Sequence, residues 1–144
     1  MIPLDPLGNI ILALQIVILF LLITGLPLVR GERNLENLTL HGYLTLAAII
    51  LHTIIIAIIM APSTSTNFEE IIGELNPLSA VIIWSHLILG TAAEVLGIIL
   101  IGAWLSKPTS RINCTKLKKW MMPTFIIWVI SIINGAAIHI LGLL

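Results

Sequence analysis

The residues of this sequence best suited to chemistry are four histidines that lie in almost wholly apolar segments. His41 and His52 bound the stretch HGYLTLAAIILH, His86 lies in WSHLILG, and His139 lies near the C-terminus. Neutral imidazole binds haem iron, copper and zinc. Ionisable side chains are costly inside a membrane and mark functional sites there. The pattern therefore predicts a cofactor or metal site.

Small residues accompany these histidines at a helical spacing of four. The pairs are Ala48 with His52, Gly90 with His86, and Gly135 with His139. Residues four apart share a helix face, so each small residue leaves room beside an imidazole. Such room permits close helix packing with hydrogen-bonded histidines, or a flat wall for a macrocycle. The repetition on three segments favours haem b, with structural histidines and a copper or zinc site as alternatives.

Composition indicates a membrane protein. Hydrophobic residues make up 58% of the 144 residues and charged residues 10%, whereas soluble domains carry about a quarter charged residues. The zero net charge offers no basic surface for nucleic acid. We expect one membrane domain, residues 1–144, whose first apolar run is retained as a span. The single cysteine, Cys114, lies in a predicted polar connection and excludes an intrachain disulfide.

Four apolar segments, at about 8–29, 38–61, 79–105 and 118–143, are long enough to cross a bilayer. Helices satisfy their own backbone in lipid, and short connections require antiparallel neighbours. The predicted fold is an all-α, four-transmembrane-helix up-down bundle. Basic residues lie in the first and third connections, and the second holds only the acidic Glu69, Glu70 and Glu74. This predicts a plasma-membrane protein with both termini outside.

On this topology three histidines lie in the outer half of the bundle. At about 1.5 Å per residue, His52, His86 and His139 lie about 13, 10 and 7 Å below the outer ends of their spans. They are the predicted ligands of haem iron. His52 and His139 come from diagonal helices and form the first predicted pair. His86 is an alternative ligand or a partner for a propionate.

His41 lies near the inner end, where no second histidine is available. Met121 or Met122 lies at matching depth, and Met/His ligation of haem is known chemistry. A second haem there is an alternative to simple packing of these residues. Glu94, about mid-span, is expected to be neutral, with proton transfer, quinone contact or an interhelical hydrogen bond as its alternative roles.

The tryptophans divide by depth. Trp84, Trp104 and Trp120 lie near span ends and are interpreted as interface anchors. Trp128 lies deeper, on the side of Gly135, where it is expected to pack against a ring or fill the core.

Several motifs resemble a family of small four-span prokaryotic membrane proteins of unknown function associated with cytochrome oxidase assembly. The likeness rests on His41 in LHGYLTLAA, His86 in WSHLILG, and KKWMMPTFIIWVISIINGAAIH with its Pro123, Trp128 and Gly135. His139 replaces an aromatic residue of that family, His52 replaces an apolar one, and lysines replace a histidine before the last span. These departures add inward histidines. The arrangement is more distantly similar to membrane di-haem cytochromes b.

These observations together predict a membrane b-type cytochrome that carries electrons within or to a respiratory complex. Its expected cofactor is one haem b, or two if His41 is a ligand, with copper as the alternative. Its expected partners are the bilayer, subunits of a respiratory complex and quinone, and we expect no stand-alone enzyme. The alternatives are an oxidase-assembly protein that handles haem or copper, and a structural accessory subunit.

Overall fold

The computed structural model describes residues 6–30, 34–66, 68–69, 76–106 and 111–141, and its regular secondary structure in these ranges is helical. The helices, numbered here in chain order, are α1 (Pro6–Arg30), α2 (Leu35–Ile55), a π-helical turn (Ile56–Met60), α3 (Ala61–Thr66), α4 (Pro77–Leu105) and α5 (Arg111–Leu141).

Four stretches of these helices are long and apolar enough to cross a membrane. They are Pro6–Leu28, Leu35–Thr66, Pro77–Leu105 and Lys116–Leu141, with mean hydropathies of 2.0 to 2.7. The four predicted spans are therefore confirmed by length and composition, and the chain has the helices of a multi-pass membrane protein. The large apolar side chains exposed along all four suit contact with lipid, for example Phe20, Ile58, Val81 and Ile133.

Asparagine caps fix where two of the spans begin. The side-chain oxygen of Asn34 accepts the backbone N–H of Asn37 at 2.7 Å, and that of Asn76 accepts the backbone N–H of Ser79 at 2.9 Å. Each bond satisfies a backbone donor that has no partner in the first turn. Pro77 follows Asn76 in the first helical position, where a missing N–H costs least.

The helices of the second and fourth spans extend further than predicted. The second span continues past residue 61 to Thr66, through a π-helical turn in which the Ala61 N–H bonds to the Ile56 carbonyl. This wider turn precedes Pro62, whose nitrogen has no proton to donate. Helix α5, which contains the fourth span, begins at Arg111, so Cys114 lies in a helix and not in a connection. Arg33, Glu70, Glu74 and Lys107, on which the predicted orientation partly rests, lie outside the described residues.

Helix contacts follow chain order. α1 packs on α2 and α4 on α5 most extensively, α2 also packs on α4, and α1 on α5, whereas α2 and α5 touch only slightly. The buried core draws on all four: Ile18 and Leu22 from α1, Ala48, Ile49 and Ile55 from α2, Ala93, Ile101 and Trp104 from α4, and Trp128 and Ile132 from α5.

Candidate functional site

A cavity of about 370 Å³ lies where the late turns of α1 and α4 meet the early turns of α2 and α5. We call this the cavity end. Leucine, isoleucine and phenylalanine side chains form much of its lining. The side chains with polar or sulfur atoms that also line it include His41, Lys118, Met121, Met122, Trp104 and Trp128. Apolar walls with a few polar groups are typical of ligand and cofactor sites.

His41 is the histidine that lines this cavity. Its Nδ1–H donates to the carbonyl oxygen of Gly25 on α1 at 3.0 Å. A carbonyl only accepts, so in the neutral ring Nε2 carries the lone pair. That Nε2 atom is buried and has no hydrogen-bond partner. The ring lies directly on α1, since a methyl group added to Gly25 would come within 2.8 Å of Nδ1.

Two indole N–H groups are also buried without a hydrogen-bond partner. They belong to the Nε1 atoms of Trp104 and Trp128, and both residues line the cavity. The six-membered ring of Trp104 packs on Gly42, where there is no room for a side chain, and its indole meets Tyr43 edge to face at 5.5 Å. Trp104 is therefore a core residue and not an interface anchor. The cavity end has one imidazole acceptor and two indole donors without partners.

The ring of His52 packs against that of Trp128, a residue that lines this cavity. The two rings are 5.1 Å apart between centroids and inclined by 57°. The Nδ1 atom of His52 is 2.7 Å from Oε2 of Glu94, and both side chains are at least nine-tenths buried. The Thr53 hydroxyl bonds to the other carboxyl oxygen, Oε1 of Glu94. These three residues form what we call the His52–Glu94–Thr53 cluster, and they tie α2 to α4.

His86 is held by α5. Its Nδ1–H donates to the Ser131 carbonyl oxygen at 2.8 Å, and the Ser131 hydroxyl lies 3.3 Å from the same nitrogen. A methyl group on Gly135 would lie 2.8 Å from its Cε1 atom. Gly135, predicted to leave room for His139, thus makes room for His86. Gly90 likewise lies beside Ser131, not beside its expected histidine.

His139 is held by the first turn of α1. Its Nε2 atom is 3.1 Å from the Asn9 side-chain oxygen, and its ring lies on Gly8, where an added methyl group would collide with it. Four helix pairs are therefore joined through the four histidines: α1–α2 by His41, α2–α4 by His52, α4–α5 by His86 and α5–α1 by His139. The structure gives each predicted ligand its own contacts with a neighbouring helix and does not bring two imidazoles together in the cavity.

Several residues that contact the histidines or Glu94 were not identified as candidate site residues from the sequence. Gly8 and Gly25 lie on a helix without histidines, and helical spacing relates only residues within one helix. Ser131 acts mainly through its backbone carbonyl, which carries no signal of residue type. Thr53, directly after His52, is the partner that a search beside the histidines would have found.

Among the residues that the structure describes, no group of three or more His, Cys, Asp or Glu side chains is placed to hold one metal ion. Comparison of the chain with protein-family models, with curated proteins and with solved structures finds no match. The resemblance to the oxidase-assembly family and to the cytochromes b therefore stays a prediction, and function has to be argued from the contacts of this chain.

Proposed function

We propose that the protein is a membrane b-type cytochrome that would hold haem b in the cavity, with His41 as a ligand of the iron. The observation that carries the proposal is the buried, unpartnered Nε2 atom of His41 in a cavity also lined by Met121 and Met122. A buried polar atom without a partner normally costs stability. Ligation would remove that cost.

The contacts of His41 suit a ligand. Metal-binding histidines usually donate their other ring N–H to a carbonyl or carboxylate, which fixes the tautomer. The bond from Nδ1 to the Gly25 carbonyl does this and directs the lone pair to Nε2. A thioether from Met121 or Met122 supplies the second ligand of a Met/His pair. Lys118, also on the cavity wall, is a cation able to pair with a carboxylate such as a propionate.

The size and the largely apolar lining of the cavity also suit a redox group. Its volume of about 370 Å³ falls in the range of roughly 300–1,000 Å³ typical of ligand sites. Haem, when bound, supplies single-electron transfer. The protein's part is to bind the iron through His41, to exclude water with the apolar wall, and to set the potential through burial and the Gly25 hydrogen bond.

The proposal includes the predicted topology, an antiparallel up-down bundle in the plasma membrane with both termini outside. The cavity lining supports it, because late residues of α1 and α4 meet early residues of α2 and α5. On this topology the haem lies near the cytoplasmic surface. The resemblance to oxidase-associated proteins makes subunits of a respiratory complex, or quinol, the proposed electron partners.

The outer pair His52 with His139 receives less support. His139 has Nε2 bonded to Asn9 and its ring against Gly8, so ligation there would require it to leave α1. His52 and His86 each lie against a neighbouring helix, and neither lines the cavity. The proposal therefore leaves all three of these histidines without iron.

A second candidate function is that of a structural accessory subunit. The observation that favours it is the packing of His41, His86 and His139 on glycines of neighbouring helices, which serves helix association without any cofactor. A haem- or copper-handling assembly protein stays a further alternative, suggested by the family resemblance alone.

The test is a reduced-minus-oxidised spectrum of protein purified in detergent after haem-replete expression, with a pyridine haemochrome to count haem per chain. We expect about one haem b per chain and its loss in His41→Gly, partly restored by added imidazole. His139→Gly is the matched control and should keep its haem. A featureless spectrum would favour the structural function, and loss of haem in the control alone would favour the outer pair.

A further inference from the structure

Among the residues that the structure describes, the His52–Glu94–Thr53 cluster is a group of buried polar side chains that the proposed haem site does not use. Its carboxyl group accepts bonds on both oxygens, from the His52 ring at 2.7 Å and from the Thr53 hydroxyl. A carboxyl group inside a membrane span is rare and typically marks a proton or ion pathway. The cluster therefore requires an explanation beyond helix association.

The Thr53 hydroxyl has two acceptors and one proton. Its Oγ1 atom lies 2.9 Å from the Ile49 carbonyl oxygen and also within hydrogen-bond distance of Oε1 of Glu94. If Thr53 donates to Glu94, the carboxylate is ionised and accepts both bonds. If Thr53 donates to Ile49, it is free to accept a proton from a neutral Glu94. Each oxygen of the Glu94 carboxyl group keeps a hydrogen-bond partner in both protonation states, and the change between them requires a rotation of the hydroxyl.

His52 serves both states equally. Its Nδ1–H donates to Oε2 of Glu94 whether or not the other oxygen carries a proton. A buried carboxyl group ordinarily resists ionisation because charge is poorly solvated there. The cluster places one hydrogen-bond partner on each carboxyl oxygen of Glu94.

The spans contain few other titratable side chains that could take up this proton. Within the spans, the other titratable side chains are few: α1 has none between Pro6 and Val29, α2 has Glu36, His41 and Tyr43, α4 has His86, and α5 has His139 beyond its basic first turns. His86 is bonded to the Ser131 carbonyl oxygen. Trp128, which contacts the cluster from α5, does not titrate.

We propose that the His52–Glu94–Thr53 cluster is a proton-binding site that takes up one proton from water when one electron enters the redox group in the cavity, and releases it on oxidation. The electron comes from a one-electron reductant, the proton is held at Glu94, and the charge inside the membrane is unchanged. This rests on the proposed haem in the cavity. Trp128 lines the cavity and its ring lies 5.1 Å from that of His52 between centroids, so the two sites share this residue, and charges in a poorly screened interior act on each other strongly.

The first test is the midpoint potential of the haem protein as a function of pH, by redox titration with mediator dyes. One proton per electron gives a slope of about 59 mV per pH unit, the value for a tenfold change in a one-electron equilibrium. We expect this slope over part of the range in the wild type and a flat dependence in Glu94→Gln. Thr53→Val keeps the carboxyl group but removes its alternative partner, and it should shift the pH range of the slope. His139→Gln is the matched control and should keep the wild-type profile. An unchanged slope in Glu94→Gln would overturn the coupling.

A second measurement does not depend on haem. In the protein as purified, infrared difference spectra between pH values should contain the C=O stretching band of a protonated buried carboxyl group, absent in Glu94→Gln and shifted in Thr53→Val. If the band titrates but no haem is bound, the proton site stands and the cytochrome proposal fails. If haem is bound but Glu94 does not change protonation with pH or redox state, the proton site fails and the cytochrome stands. If Glu94→Gln does not fold, Thr53→Val decides both measurements.

Discussion

The cavity end and the His52–Glu94–Thr53 cluster differ in how their buried polar atoms are bonded. At the cavity end, His41 and the indoles of Trp104 and Trp128 each have a nitrogen without a partner. Around the His52–Glu94–Thr53 cluster, the carboxyl group and the imidazole are bonded to each other and to Thr53. Buried polar atoms are almost always satisfied. The cavity end is therefore where we place a ligand, and the cluster is where the chain completes its own network. The Oε1 atom of Gln15 is also buried without a partner, but Gln15 does not line the cavity.

This difference separates two uses of histidine inside a membrane. A histidine bonded through one nitrogen, with the other in a cavity, is prepared to bind something that the chain does not contain. A histidine bonded to a carboxyl group is prepared to share a proton. Depth and spacing in the sequence do not distinguish these uses, because both place an imidazole on an inward helix face.

The largest loss of stability should come from removing a member of the His52–Glu94–Thr53 cluster. His52→Leu leaves Glu94 buried with one partner fewer, and removing one member of such a pair typically costs about 3–5 kcal/mol. Unfolding in mixed detergent micelles, followed by circular dichroism, measures this loss. The double variant His52→Leu/Glu94→Met should recover much of it, since no polar group is then stranded. Strictly additive losses would show that the pair is not coupled.

Close packing at the cavity end gives the next effect. Gly42→Ala places a methyl group against the ring of Trp104, and we expect a loss of about 1–3 kcal/mol from overpacking. Gly102→Ala is the matched control, because an added methyl group there meets nothing within 4 Å. The control should be neutral or slightly stabilising, as alanine favours helix over glycine. Equal losses in the two variants would mean that helix geometry, not Trp104, limits the substitution.

The helices were predictable from sequence because membrane spans depend on length and hydropathy alone. The errors at their ends have local causes. Helix α5 begins at Arg111 because the basic residues 116–119 favour helix as well as solvent. The π-helical turn before Pro62 allows the second span to pass a residue that usually ends a helix.

Of the candidate site, sequence gave the residue types but not their partners. A Met/His site of His41 with Met121 or Met122 is one of the alternatives that depth in the sequence suggests, and the three residues line one cavity. The sequence does not predict the pairing of His52 with Glu94, although an interhelical hydrogen bond is one of the alternative roles for Glu94. It depends on how α2 is rotated against α4, and rotation is set by packing such as that of Gly97 on Trp128 and Ile49. No spacing within one helix encodes that.

His41 should matter little for stability in the absence of a ligand. His41→Phe removes one hydrogen bond to Gly25 and also removes the unpartnered Nε2 atom, and a typical buried hydrogen bond contributes about 1 kcal/mol. We expect a change of about 1 kcal/mol or less in the protein freed of haem, against a complete loss of haem binding. Unfolding of both proteins with and without added haem measures the difference. A loss of stability as large as that of His52→Leu would show that His41 stabilises the fold as much as the cluster does, and would contradict this prediction.

The smallest expected effect concerns Trp128, the residue that the two regions share. Trp128→Phe keeps a ring against His52 and removes an N–H group that has no partner. The lost packing, of order 1 kcal/mol, is offset in part because an unpaired buried donor is gone. Stability alone should therefore change little. If the indole donates to a bound ligand, ligand affinity falls while the infrared band of Glu94 stays unchanged. If the band shifts and affinity does not, Trp128 belongs to the proton site, because its ring then acts on His52 and not on the cavity.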